Sequence, residues 1–132
     1  MKARTSTLTI LVLLVGVLAA CKTSSANTIT LSEQDAGKTV ELKTGDTLVV
    51  SLEGNPTTGF NWIPAAQDPM LLEQAGDAEF IPANDQLGSP GKILLKFNAT
   101  TKGQTNLHLD YKRSFEENVS PEKTFDVTVI VK

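Results

Sequence analysis

From Thr28 onward, apolar residues recur at every second position in short runs broken by Gly, Pro, Asn and Asp. That period belongs to strands that bury one face. Thr28–Leu31 reads as a first strand, and Val40 and Leu42 alternate with charged neighbours in a second. Leu48, Val50 and Leu52 share one face of the next, with Val49, Ser51 and Glu53 opposite. Phe60 to Pro64 follows, with Phe60 and Trp62 on one side and Asn61 and Ile63 on the other. Ala78–Ile81 reads as a short edge strand closed by Pro82. Three stronger strands complete the pattern: Ile93, Leu95 and Phe97; Leu107, Leu109 and Tyr111; then Phe125, Val127, Val129 and Val131. Turn chemistry falls at Asp35–Lys38, Lys43–Asp46 and Thr101–Gln104. The stretch from Ala65 to Gly76 has no clear period, and its Pro69–Gln74 portion reads as a helical turn or an irregular connection.

Many short strands with frequent turns predict an all-β fold, an immunoglobulin-like antiparallel β-sandwich of about seven to eight strands over residues 28–132. Trp62, on the strand after the first long loop, is expected in its core. Antiparallel strands send successive connections to alternate ends of such a sandwich. On this strand count the loops at 54–59, 84–91 and 112–120 share one end.

The first 20 residues stand apart. Lys2 and Arg4 precede an apolar run, Leu8 to Leu18, too short for a permanent span. Leu18-Ala19-Ala20-Cys21 resembles a bacterial lipobox, in which the cysteine is lipidated and becomes the mature N-terminus. Residues 1–20 are then a lipoprotein signal peptide, and 21–27, small and polar after Cys21, a flexible tether. The alternative is an ordinary signal peptide beside a chance cysteine. Cys21 is the only cysteine, so no intrachain disulfide forms. Lys22 rather than Asp after the cysteine points, by sorting rules, to the outer membrane of a two-membrane envelope.

The 132-residue chain carries 12 basic and 15 acidic residues; without Lys2 and Arg4 the net charge is −5. That balance argues against a nucleic-acid partner and leaves the lipid, not a basic face, to attach the chain to a membrane. Catalytic chemistry is equally poorly supplied. His108, the only histidine, lies between Leu107 and Leu109 and so faces away from the core, where a solvated strand residue is expected. No Cys/His cluster has zinc-site spacing, and no cofactor-binding motif occurs. Asp110, Glu116 and Glu117 read as a solvated charged loop rather than a catalytic pair. Asn98-Ala99-Thr100 and Asn118-Val119-Ser120 match glycosylation acceptors by chance in a bacterial-type chain.

The stretch Asn55-Pro56-Thr57-Thr58-Gly59-Phe60 is different in kind. Pro56 fixes its own φ and keeps Asn55 out of the helical region. Gly59 admits a positive φ. The two threonines between them are stiff at χ1 and carry hydroxyls, and Phe60 and Trp62 can anchor the base. The residues describe a rigid, uncharged, hydroxyl-tipped loop, which is either a binding wedge or ordinary turn chemistry.

At all six positions this stretch resembles the signature loop of the chagasin-like inhibitors of papain-type cysteine proteases. The resemblance runs from about Ile29 to Val131 and implies an immunoglobulin-like sandwich presenting three loops at one end. It implies a second motif of Gly-x-Gly-Gly type, here Gly88-Ser89-Pro90-Gly91 with Pro90 in place of glycine. It implies a third of Arg-Pro-aromatic type, here Arg113-Ser114-Phe115 with Ser114 in place of proline and Phe115 in place of the commoner Trp. The implied function is occlusion of a papain-type active-site groove by a monomer. Asn55 to Gly59 would enter the groove, with Phe60 counted among the protease-binding residues, Gly88 to Gly91 would run along one side, and Arg113 and Phe115 would touch the other. The residues alone leave alternatives: Arg113 pairing only with Glu116 or Glu117, Phe115 covering the sandwich end, or a non-inhibitory surface lipoprotein that kept the sandwich as a binding module.

Overall fold

In a computed structural model, residues 25–132 are described; the expected signal segment, Cys21 and residues 22–24 of the tether lie outside the described residues. The period-two segments form nine strands: β1 (Thr28–Leu31), β2 (Thr39–Leu42), β3 (Thr47–Gly54), β4 (Phe60–Ala66), β5 (Leu72–Gln74), β6 (Glu79–Pro82), β7 (Gly91–Ala99), β8 (Gly103–Arg113) and β9 (Lys123–Val131). They make two facing sheets. One runs β1-β3-β7-β5, with β6 also paired to β7; the other runs β2-β9-β8-β4.

The core is what the alternation predicts. Leu48, Val50 and Leu52 sit opposite Phe97, Leu95 and Ile93 in the β3–β7 ladder. Leu107 and Leu109 sit opposite Val127 and Phe125 in the β8–β9 ladder. All ten are essentially inaccessible to solvent, and Leu31, Leu42, Trp62, Leu72, Ala99, Tyr111, Val129 and Val131 complete the layer between the sheets. Val49 departs from the pattern, buried although it lies on the opposite face of β3.

Three further details differ from the simplest sandwich. The Ala65–Gly76 stretch combines a single helix-like turn, in which the Asp68 carbonyl accepts from the N–H groups of Leu71 at 3.1 Å and Leu72 at 2.9 Å, with the short strand β5, whose Leu72 supplies one buried side chain to the core. A single apolar residue in three gives no readable period. The pairing is not wholly antiparallel either, since β1 runs parallel to β3 and β2 parallel to β9. One chain segment switches sheets between β1 and β2 through a 3-10 turn at Glu33–Asp35. Finally, β5 brings the count to nine without disturbing the ends. Leu72 pairs with Ala99 and Pro82 with Gly91, so β5 and β6 lie in line along β7 as one interrupted edge strand. The alternation of ends therefore survives the extra strand.

Candidate functional site: three loops at one end of the sandwich

Register places the three loops. Gly54 at the end of β3 pairs with Gly91 at the start of β7. Phe60 at the start of β4 pairs with Arg113 at the end of β8, and Tyr111 pairs with Lys123 at the start of β9. The connections 55–59, 83–90 and 114–122 thus leave the same end of the two sheets.

The first loop is a 3-10 turn over Pro56–Thr58, with Asn55 as its N-cap and Gly59 closing it at φ 84°. Its residue types explain it. Proline suits the first helical position, and the left-handed closing position favours glycine. The Asn55 carbonyl accepts from the Thr58 N–H at 3.1 Å and from the Thr58 hydroxyl at 2.6 Å. The Asn55 side-chain oxygen accepts from the Thr57 N–H at 3.2 Å and from the Thr57 hydroxyl. Both threonine protons are therefore turned into the loop. A hydroxyl keeps acceptor lone pairs after donating, so the tip presents acceptors and no charge. Thr57 and Thr58 are exposed.

Four contacts fasten this loop to the rest of the molecule. The Asn55 N–H donates to the hydroxyl of buried Tyr111 at 2.9 Å. The Asn55 side-chain amide donates to the Gly88 carbonyl of the second loop at 3.0 Å. Arg113 Nε donates to the Thr58 carbonyl at 3.0 Å. The buried Trp62 indole donates to the Glu53 carbonyl at 3.0 Å, just before the loop begins. Beneath these, Tyr111 stacks on Phe60 with centroids 5.3 Å apart and leans on Trp62 at 5.1 Å.

Arg113 is a brace. Besides Thr58 it reaches Glu116 at 3.1 Å, and its guanidinium lies 4.3 Å from the Phe60 ring centre. The pairing with Glu116 is one of the alternatives open from sequence; the bridge to Thr58 was not foreseen there. Phe115, by contrast, is 72 % exposed and leans one ring edge toward the first loop. A Cβ added at Gly59 would stand 3.1 Å from that ring. Gly59 is therefore needed twice, for its φ and for the closeness of Phe115.

The second loop departs most from the sequence picture. Ser89 is buried at 7 % exposure, with its hydroxyl on the Pro90 carbonyl at 3.1 Å. Gly91 belongs to β7, where an added Cβ would sit 2.1 Å from the Ile81 carbonyl oxygen. All the other residues of this loop, 83–88 and Pro90, are exposed, and the side chain of Leu87 fully so. Leu87, and Val119 in the third loop, were missed in the sequence. The signal for Leu87 was present, a lone large apolar residue inside Asn84-Asp85-Gln86-Leu87-Gly88. Of the five large apolar side chains exposed among the described residues, Leu87, Phe115 and Val119 lie on these loops.

His108 faces outward as its position predicts, but it is not simply solvated. Half-buried on the outer face of β8, it is held between Asp126 through Nδ1 and Asp110 through Nε2 at 3.0 Å. The hydrogen bond that the His108 ring donates to Asp126 above all, with the charge of both carboxylates, raises its pKa above the ordinary histidine value. Among the described residues, no group of three His, Cys, Asp or Glu side chains is placed to hold a metal ion.

Amoebiasin-1 of Entamoeba histolytica is 28 % identical over 105 residues, covering 78 % of this chain and 99 % of that protein. The crystal structure of the cysteine protease inhibitor EhICP2 from Entamoeba histolytica superposes with a TM-score of 0.70 at 18 % identity, over 81 % of this chain and 97 % of that one. The solution structure of Amebosin gives a TM-score of 0.66 at 27 % identity, over 82 % of this chain and all of that one. The family model for the chagasin family peptidase inhibitor I42 matches residues 41–129, a span that includes all three loops. On that match over well more than half of its length, the chain belongs to the chagasin family of peptidase inhibitors.

Proposed function

We propose that this chain inhibits papain-type cysteine proteases by filling their active-site groove with the Asn55–Gly59 wedge, flanked by the second and third loops. Membership in a family of peptidase inhibitors supports the activity. The observation that carries the mechanism is the direction of the threonine hydroxyls. A papain-type site holds a thiolate beside an imidazolium. The imidazolium is a donor and needs an acceptor. With their protons committed to Asn55, Thr57 and Thr58 offer lone pairs, and a neutral acceptor adds no charge to desolvate.

The same loop resists being a substrate. Pro56 disfavours cleavage around itself, and the 3-10 turn is not the extended backbone a protease threads through its groove. Prior ordering by four fixed contacts lowers the entropy lost on binding. On the flanks, Phe115 and Leu87 offer apolar side chains to the groove's shoulders. Gly88 and Pro90 contribute surface from the second loop, and Ser89 and Gly91 support that loop from within. Asn55 and Arg113 act mainly by holding the loops together.

The reading extends to place. The Leu8–Leu18 run ending in Ala19-Ala20-Cys21 supports export, lipid attachment at Cys21 and residence on the cell envelope, with residues 22–27 as the tether. The chain acts there as a non-enzymatic monomer.

Titration of the protein against papain tests the activity. Thr58→Ala removes one acceptor aimed at a charged donor, worth about 1.5–3 kcal/mol, or roughly ten- to hundredfold in the inhibition constant. Phe115→Ala is expected to weaken inhibition as well. No inhibition of papain-type enzymes at micromolar protein would sink the proposal, and unchanged inhibition in both variants would sink the assignment of the loops.

A further inference from the structure

The chain enters the sandwich at the end opposite the loops. Asn27, the last residue before β1, donates its N–H to Asp46 at 3.0 Å and accepts from the Thr47 N–H at 2.8 Å. Thr47 opens β3, the strand whose far terminus is the loop-end residue Gly54. Around Asn27 lie the other structures of that end. The Gly45 N–H donates to Ala99 at 2.8 Å, Lys132 donates to Leu42 at 2.8 Å, and the Thr100 hydroxyl donates to Met70 at 2.7 Å.

We infer that the chain is anchored by this end, facing the lipid surface, and inhibits while attached, with its loops held away from the membrane. The inference rests on the inhibitory, lipid-anchored reading above, and lengths decide it. Strand β8 runs from one end of the sandwich to the other in 11 residues, about 33 Å at a strand's rise of ~3.3 Å per residue. From Cys21 to Asn27 there are six residue steps, which reach at most about 21 Å fully extended. With the loops against the lipid, Asn27 would stand farther from the surface than the tether extends. The anchored molecule therefore stands upright or lies over, and in either posture its loop end is free for a protease arriving from outside.

The surface of the entry end suits that posture. Its exposed side chains include Lys43, Lys102, Lys132 and Met70. Three of its carboxylates are engaged: Glu41 by Lys132 at 2.7 Å, Asp46 by the Asn27 and Lys43 N–H groups, and Asp68 by the Met70 N–H at 2.9 Å. The three lysines named here balance these three carboxylates, so the part nearest the lipid does not share the acidic excess of the whole chain.

The test uses the full lipid-modified chain, inserted into the outer leaflet of preformed phospholipid vesicles, with papain added outside. Inhibition on vesicles is expected to match that in detergent within about threefold, less than 1 kcal/mol, and to survive deletion of residues 22–26. Inhibition in detergent that vanishes on vesicles overturns the inference. Absence of inhibition in detergent as well overturns the inhibitory reading and, with it, inhibition while attached. A second readout follows posture alone. Single-cysteine variants Lys102→Cys and Ser114→Cys, each carrying a fluorophore, are compared with a headgroup-bound quencher, Cys21 being blocked by its lipid. Quenching at position 102 and little at 114 is expected; the reverse order overturns the orientation whether or not papain is inhibited.

Discussion

Replacing Arg113 separates a residue that braces the site from one that touches the partner. Three interactions disappear together in Arg113→Ala: the 3.0 Å bond to the Thr58 carbonyl, the 4.3 Å stacking over Phe60 and the 3.1 Å pair with Glu116. The side chain is about one third exposed, so each is taken near the low end of its range. The hydrogen bond from a charged donor contributes about 1 kcal/mol at such a site, the cation–π contact about 0.5–1 kcal/mol and the surface ion pair at most a few tenths. Together they amount to about 2 kcal/mol, most of it spent on holding Thr58 and Gly59 in place. Loss of that order from the ordered loop weakens inhibition by up to about thirtyfold. Arg113→Lys discriminates. Lysine keeps the charge but lacks the planar fork that spans Thr58 and Glu116 at once, so a brace predicts Lys to behave nearly like Ala. A direct charge contact to the protease predicts Lys to behave like Arg. Glu116→Gln, which removes only the surface pair, should change inhibition less than about threefold. Inhibition constants against papain, read beside amide hydrogen exchange at Thr58 and Gly59, check all three. Wild-type inhibition in Arg113→Lys, or weakened inhibition in Arg113→Ala with loop protection unchanged, refutes the bracing role.

Tyr111→Phe removes the buried acceptor of the Asn55 N–H. Urea denaturation should show a loss of about 1–2 kcal/mol, with inhibition weakened, and stability equal to wild type would mean that water replaces the hydroxyl without cost. His108 should titrate above its ordinary value of about 6.5 when followed by NMR, and Asp126→Asn should bring the midpoint down, since Asp126 is the main cause of the shift. The sign for stability follows: with the folded midpoint raised, the His108 contribution is complete below the unfolded value and is lost as pH rises through the folded one. A wild-type midpoint at or below the ordinary value contradicts the carboxylate clamp.

The fold was legible because its signal is local and repeated. Leu48-Val50-Leu52 and Ile93-Leu95-Phe97 announce their buried faces without knowledge of their partners, and they turn out to face one another in register. The parallel edge pairings were not legible, because period two is the same in either strand direction. The wedge was legible for a related reason: Pro56, Gly59 and the two threonines act through their own backbone and their immediate neighbours. What the sequence withheld is everything that depends on register across strands. The clamp on His108 exists because position 108 pairs with 126. The brace from Arg113 exists because position 113 pairs with Phe60, whose ring it covers beside the loop. The second loop was the least readable. The same glycine–serine–proline–glycine composition serves a surface tip or a hairpin base, and only pairing with Pro82 and Gly54 shows Gly91 to be the latter.

These non-local contacts answer a question that the lone cysteine raises. A small protein without disulfides must still present loops stiff enough to bind without a large entropic cost. Here the stiffness is drawn from the core. Trp62 and Tyr111 are core side chains by burial, yet the polar atom of each reaches toward the loop end, one to the Glu53 carbonyl and the other to the Asn55 N–H. Two buried aromatics thereby satisfy two backbone groups that the end of β3 leaves without strand partners, and in doing so fix both sides of residue 54. Gly54 itself is buried, and a Cβ there would meet Ile93 at 2.5 Å and Tyr111 at 3.2 Å. The base of the wedge thus moves only if the core moves. Its tip is tied by Asn55 to the second loop and by Arg113 to the third. The three loops are therefore expected to order and disorder together, so that a substitution in one alters binding through all.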